Sequence, residues 1–156
     1  MSAIEHKLKE LGVDLPVPPA PVANYVPAIR VGNLVHISGQ VCFGADGTLA
    51  ERHTGKLGGA VSDEAGQEAA RLCAINLLAQ LKAQVGDFSR VVRCVRLGGF
   101  VNATPEFVAV PKILNGASDF MVAVMGDAGR HVRSAVGVAV LPLDCAVEVE
   151  ATFEVL

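Results

Sequence analysis

Tryptophan is absent from this 156-residue chain, tyrosine occurs once, and aromatic residues amount to 4%. Few rings are therefore available as stacking platforms for the bases of a nucleic acid. The 13 Lys and Arg residues are scattered among 16 Asp and Glu residues, so the sequence shows no basic stripe to follow a phosphate backbone. This composition disfavours nucleic acid as a partner without excluding it.

Charge is also scarce at 19%, while apolar residues make up 51% and the mean hydropathy is +0.44. No apolar run reaches the roughly 18 residues that a membrane span needs. The first twelve residues, MSAIEHKLKELG, carry charges throughout and lack the apolar region of a signal peptide. We therefore predict a cytoplasmic protein without a membrane partner, in which contacts between subunits cover the excess apolar surface.

Metal and cofactor motifs are missing. The four histidines have neither H-x-x-x-H nor H-E-x-x-H spacing, and there is no P-loop or G-x-G-x-x-G, so neither a metal nor a nucleotide cofactor is expected. No C-x-x-C occurs, which predicts free, buried thiols rather than a zinc site or disulfides. The cysteines are Cys42, Cys73, Cys94 and Cys145.

The order of the elements predicts a single α+β domain over residues 1–156, with a mixed sheet, two long helices on one face and an extra N-terminal helix. Residues 1–24 hold that short helix, which ends at Gly12, and the start of a proline-rich extended arm. Gly32-Asn33 between two apolar runs predicts a hairpin, and Gly39 predicts a bulge or a close backbone approach. The remaining expectations are a polar loop at 44–59, a helix at 63–85, a strand at 88–102 with a bend or bulge at Gly98-Gly99, a helix at 107–125 that starts properly near Pro111, and strands from 131 and over 145–155.

The stretch HVRSAVGVAVLPLDCAVEVE, residues 131–150, carries the chemistry that we consider most informative. Arg133 precedes eight uncharged residues, and a strand so apolar is normally covered on both sides. Small side chains share the face of Arg133, which suits an anion site, although an arginine paired with a glutamate at an interface remains the alternative. The next strand turns Glu148, Glu150 and Glu154 to one face, where a solvated surface is the simpler interpretation. Chain order puts this glutamate strand beside the arginine.

The segments HISGQ (36–40), VRSAVGVAVLP (132–142) and VEVEA (147–151) resemble the Rid/YjgF family of reactive-intermediate imine deaminases. The resemblance runs from about Tyr25 to the C-terminus. It implies a chorismate-mutase-like fold and a homotrimer with ligand sites in the clefts between subunits. The N-terminal helix, the 44–59 loop and an insertion at 98–102 indicate a longer branch of the family.

The resemblance also implies roles for individual residues. Arg133 would hold the substrate carboxylate, Glu148 would position the hydrolytic water, and Tyr25 would line the cleft with Ser38 and Gly39 as its strand wall. The remaining implied binding positions are Asn115 and Ala135. At the second of these the family often has cysteine, but its backbone carbonyl would still help to bind the water.

Among the histidines, His131 is a second-tier site candidate because it lies two residues before Arg133. His36 is expected to be a hydrogen-bonded histidine of the core, and His53 has no evident partner. The function that the resemblance implies is hydrolysis of small 2-imino or enamino acids to 2-keto acids and ammonia. The alternatives are a non-catalytic trimer that binds small carboxylates and, less favoured, an endoribonuclease acting on single-stranded RNA.

Overall fold

The computed structural model describes residues 1–156 and confirms the predicted α+β class. Short 3-10 turns at Glu51–His53, Phe88–Arg90, Gly126–Gly129 and Pro142–Asp144 connect the main elements. In chain order those elements are α1 (Ala3–Glu10), β1 (Ala28–Val31), β2 (Leu34–Val41), α2 (Asp63–Val85), β3 (Val91–Asn102), α3 (Val110–Met125), β4 (Val132–Val138) and β5 (Val147–Val155).

The five strands form one mixed sheet in the order β1-β2-β5-β3-β4. Only β3 and β4 run parallel, joined by a crossover through α3, while the other neighbours are antiparallel. The helices α2 and α3 pack against each other and cover one face, where Val147, Val149 and Phe153 of β5 are fully buried. The alternate residues of β5 therefore point to the opposite face, which no helix covers. We call this the open face.

Local sequence signals determine most of the helix ends. The Ser62 side chain accepts a hydrogen bond from the Ala65 N–H and so begins α2, as predicted, and Gly86 ends it with φ +77°. Pro111 lies in the first turn of α3, where its missing N–H costs nothing. The N-terminal helix has a complete capping box between Ser2 and Glu5.

The predicted hairpin and the predicted bulge are both present. β1 and β2 pair from Val31 and Leu34 outward, which leaves Gly32 and Asn33 as a two-residue turn. The register between β2 and β5 shifts between Ile37 and Gln40, so the bulge lies at Ser38 and Gly39.

The prediction of a bend or bulge at Gly98-Gly99 is wrong. Both glycines pair regularly with β4 and β5, and β3 is irregular earlier, between Val91 and Arg93 and again before Arg96. Side chains crowd these glycines instead: a Cβ at Gly99 would overlap Leu114 of α3, and one at Gly98 would lie 2.7 Å from the Glu150 carboxylate. The glycines are thus needed for close packing rather than for a bend.

Three further expectations need correction. β4 is an edge strand that nothing in the chain covers fully, since Val132 is 67% and Val136 45% exposed. β5 is not its neighbour, because β3 lies between them. His36 is exposed on the open face rather than in the core, with a 3.1 Å contact between its Nδ1 and the Thr152 hydroxyl.

His53 also differs from expectation, because it is buried and its Nε2 lies 3.1 Å from the Glu68 carboxylate. Its loop is fixed at the end of β3, where the Leu57 N–H donates to the Asn102 carbonyl at 2.8 Å. Lys56 donates to the Asn102 side chain at 2.6 Å. The long loop and the 98–102 segment therefore form one structural unit at the end of the sheet.

All four cysteines are free and buried, as predicted. None of the helices combines the length and the apolar character that crossing a membrane requires.

Candidate active site

Arg133 lies on β4 and directs its guanidinium to the first half of α3. Its Nη1 donates to the Asn115 Oδ1 at 2.9 Å and to the Ser118 Oγ at 3.0 Å. Its Nη2 donates to the Pro111 carbonyl at 3.1 Å. Asn115 and Ser118 are three residues apart and so share one face of the helix. These three acceptors form the arginine cradle.

Packing of α3 on its neighbours fixes the cradle in place. A Cβ at Gly116 would overlap the main-chain carbonyl of Gln67, so α3 approaches the backbone of α2 directly beside Asn115. Leu114 packs equally closely over Gly99 of β3. The helix that carries the cradle therefore has little freedom to slide relative to the sheet.

The cradle leaves part of the guanidinium free. Arginine has five N–H donors, and three of them are used within the chain. The two that remain match the two oxygens of a carboxylate, which arginine binds bidentately. Ala135, two residues along the same strand and only partly buried, adds a small side chain on the same face.

His131 contacts the cradle through Ser118. Its Nε2 lies 2.9 Å from the Ser118 Oγ, and its Nδ1 lies 2.6 Å from the Gly129 carbonyl. Burial lowers the pKa of His131, and the positive charge of Arg133 lowers it further, while the hydrogen bond to Gly129 acts in the opposite direction. The lowered pKa favours the neutral form of the imidazole next to the cradle.

Glu148 belongs to a second group of residues, on the open face of β5. A Cβ at Gly39 would lie only 2.8 Å from its carboxyl carbon, so the bulge and its glycine make room for this carboxylate. Burial raises the pKa of Glu148, and the nearby charge of Glu150 raises it further. Ser38 is tied to the arm that precedes β1, because its hydroxyl donates to the Pro27 carbonyl at 3.0 Å.

The two groups lie on opposite faces of the sheet. Arg133 is in register with Leu97, which is fully buried beneath the helices, whereas Glu148 is in register with Phe100 on the open face. Residues in register on neighbouring strands point to the same side. One chain therefore brings Arg133, Asn115, Ala135 and His131 together, and separately Glu148, Gly39 and Ser38. Tyr25 is 57% exposed on the arm and makes no hydrogen bond to either group.

Sequence reasoning missed Ser118 and the Pro111 carbonyl. A small hydroxyl three residues after Asn115 in a predicted helix was a usable signal, because i and i+3 positions face the same way. The carbonyl gave no signal, since any residue supplies one. No cluster of three or more His, Cys, Asp or Glu side chains has a metal-binding arrangement.

A mixed sheet with two helices on one face and an arginine held at its edge strand defines a chorismate-mutase-like class of protein. Residues 5–154 match the family described as "YjgF/chorismate mutase-like, putative endoribonuclease". The chain belongs to this family.

Two proteins are similar to this chain over nearly its whole length. Protein TCP17 of Trypanosoma cruzi is 44% identical over 94% of this chain and 91% of its own length. The crystal structure of Atu1372 from Agrobacterium tumefaciens is 46% identical, covers 99% of this chain and 93% of its own, and superposes with a TM-score of 0.91. RidA from the Antarctic bacterium Psychrobacter sp. PAMC 21119 is less similar, with 26% identity, 89% and 94% coverage and a TM-score of 0.61.

Proposed function

We propose that this protein hydrolyses small 2-imino or enamino acids to 2-keto acids and ammonia in clefts between the subunits of a homotrimer. Arg133 binds the substrate carboxylate. The observation that carries this proposal is the cradle, which holds the guanidinium in place and leaves two N–H donors free. The resemblance of residues 36–40, 132–142 and 147–151 to the Rid/YjgF imine deaminases implies the same activity, and the chain belongs to the YjgF family, whose description names a putative endoribonuclease.

The separation of Arg133 from Glu148 supports a site made by two copies. Within one chain the two side chains point to opposite faces of the sheet, so they cannot act on one small molecule together. Both sheet edges expose apolar residues, Ile29 and Val31 on β1 and Val132 and Val136 on β4. A head-to-tail contact between unlike edges gives a ring when the rotation from copy to copy closes, and in the proposed trimer that ring brings Glu148 of a neighbouring copy towards Arg133.

The chemistry requires little beyond placement of a water molecule. A protonated imine is electrophilic, so water adds to its carbon once a carboxylate orients the water and accepts its proton. Glu148 suits this role because its raised pKa makes it a stronger base than an ordinary glutamate. The carboxyl group returns this proton to the nitrogen of the resulting carbinolamine. The C–N bond then breaks and its electron pair leaves with ammonia, while the hydroxyl loses its proton to the carboxylate as the C=O bond of the 2-keto acid forms. The Ala135 carbonyl is the second group proposed to hold the water.

The test of this proposal generates 2-aminoacrylate in solution and measures pyruvate formation. Arg133→Ala is expected to reduce the rate to that of the uncatalysed reaction. The matched control is Arg130→Ala, because Arg130 is an exposed arginine three residues away whose Nε contacts Asp127 at 3.3 Å. Equal pyruvate rates for wild type and Arg133→Ala would rule out the proposed role of Arg133.

A second candidate function is non-catalytic binding of small carboxylates. It is favoured by the fact that the arginine cradle is complete within one chain, whereas Glu148 lies elsewhere. A thermal shift with 2-ketobutyrate that disappears in Arg133→Ala, together with no pyruvate formation above background, would favour binding over catalysis.

A further inference from the structure

We propose that Ser118 and His131 are positioning residues that orient the Arg133 guanidinium before the substrate carboxylate arrives. This inference rests on the proposed function of Arg133. The three side chains form a continuous chain of contacts from Arg133 through Ser118 to His131, which ends on the Gly129 carbonyl.

The chemistry of the groups fixes the direction of each hydrogen bond. The Gly129 carbonyl only accepts, so Nδ1 of His131 carries the hydrogen at that 2.6 Å contact. In a neutral imidazole the other nitrogen, Nε2, then has a lone pair and accepts. The Ser118 hydroxyl must therefore donate to His131 at 2.9 Å.

The orientation of the hydroxyl determines what Ser118 offers to Arg133. Because its hydrogen points to His131, its lone pairs are available to the Nη1 N–H of Arg133 at 3.0 Å. Arginine cannot accept a hydrogen bond, so a hydroxyl turned the other way would leave this contact unmade. His131 thus acts on the substrate only through Ser118 and Arg133.

Pre-orientation matters because a free arginine side chain samples many rotamers that binding must then freeze. Asn115 and Ser118 both accept from Nη1 of the guanidinium, and the Pro111 carbonyl accepts from Nη2. Loss of the Ser118 contact leaves an N–H without its acceptor and lets the planar group tilt. The two N–H donors left free for a carboxylate then lose the fixed orientation that bidentate binding requires.

The first measurement needs no variant. Nitrogen-15 NMR of the intact protein at pH 7.5 distinguishes the two neutral imidazole tautomers. The proposal expects His131 to carry its hydrogen on Nδ1. A hydrogen on Nε2 would overturn it, because Ser118 would then have no acceptor on His131.

The second measurement is the dissociation constant for 2-ketobutyrate, together with the kinetics of pyruvate formation. Ser118→Ala is expected to weaken binding about tenfold, the order of one lost hydrogen bond to a charged group, and to raise KM by a similar factor with little change in kcat. Ser118→Thr, which keeps the hydroxyl, should restore wild-type binding to within about twofold. Ser89→Ala, at an exposed serine, serves as the matched control.

The outcomes separate this inference from the proposed function. If Arg133→Ala abolishes binding and Ser118→Ala binds as wild type does, the relay through Ser118 is wrong and the role of Arg133 stands. If neither variant changes binding, the proposed function itself fails. If Ser118→Ala lowers kcat and leaves KM unchanged, the positioning role is also contradicted. The same holds if Ser118→Thr, which keeps the hydroxyl, binds as weakly as Ser118→Ala.

Discussion

Two inactive variants should restore activity when they are assembled into one oligomer, because Arg133 and Glu148 lie on opposite faces of a single chain. Arg133→Ala keeps its glutamate, and Glu148→Ala keeps its arginine. In a mixed oligomer some clefts combine the intact arginine of one copy with the intact glutamate of its neighbour. Those clefts have both groups that the proposed reaction needs.

The size of the recovery follows from counting. In a ring of head-to-tail contacts each cleft takes its arginine from one copy and its glutamate from the next. With equal amounts of the two variants mixed at random, each copy carries the required residue with a chance of one half. About one cleft in four is then complete, whatever the number of copies in the ring. The mixture should therefore recover about a quarter of the wild-type rate.

The assay compares the two variants co-expressed, or unfolded and refolded together, with the same proteins mixed only after folding. Pyruvate formation from 2-aminoacrylate is followed at equal total protein. The control is a mixture of Arg133→Ala with a chain that carries both substitutions, in which no cleft has an arginine. A co-assembled mixture as inactive as its parents, when light scattering shows that mixed oligomers have formed, would refute a site shared between copies.

Two other consequences concern Glu148. Gly39→Ala should lower kcat about a hundredfold, the order expected when a catalytic group is displaced by about 1 Å. The displacement follows because a Cβ at Gly39 would lie 2.8 Å from the Glu148 carboxyl carbon, whereas an ordinary contact is about 3.5–4.0 Å. The matched control Gly98→Ala crowds Glu150 on the same face and should keep kcat, so an equal loss in both variants would contradict the role of Glu148. Glu148→Gln should abolish turnover and raise the melting temperature at pH 8 but not at pH 4. The direction of this change follows because folding raises the pKa of Glu148. Ionisation of Glu148 therefore lowers the stability of the folded protein at a pH above its folded-state pKa and has no effect at a pH below its unfolded-state pKa. An increase in melting temperature at pH 4 as large as at pH 8 would contradict this reasoning.

Local signals predicted the elements of this fold well because each signal acts over a few residues. The Ser62 cap and Gly86 bracket α2 at the predicted bounds, and the Gly32-Asn33 pair sets the register of the first hairpin. Gly39 marks a real bulge because it must make room for a side chain from β5. In all three cases the residue type itself carries the structural reason.

Strand order and hydrogen-bond partners were not predictable in the same way. β4 and β5 are consecutive in the sequence, yet β3 pairs with both and separates them, and no local pattern records that long-range choice. Period-two alternation correctly separated the residues of β5 into a buried set and an open-face set. Whether Arg133 of β4 points to the same face as Glu148 of β5 became clear only from the register of both strands with β3. His53 meets Glu68 across a loop and a helix, a contact that spacing cannot reveal.

The division between the two faces also explains why the two candidate functions make different demands on assembly. The proposed carboxylate binding depends on Arg133 with Asn115, Ser118 and the Pro111 carbonyl, all supplied by β4 and α3 of one copy. The proposed hydrolysis depends in addition on Glu148 as a base, which the same copy directs to the other face of its sheet. A chain that lost its subunit contacts would therefore keep the chemistry of binding and lose that of turnover, which makes the exposed edges β1 and β4 as important to the proposed reaction as the arginine itself.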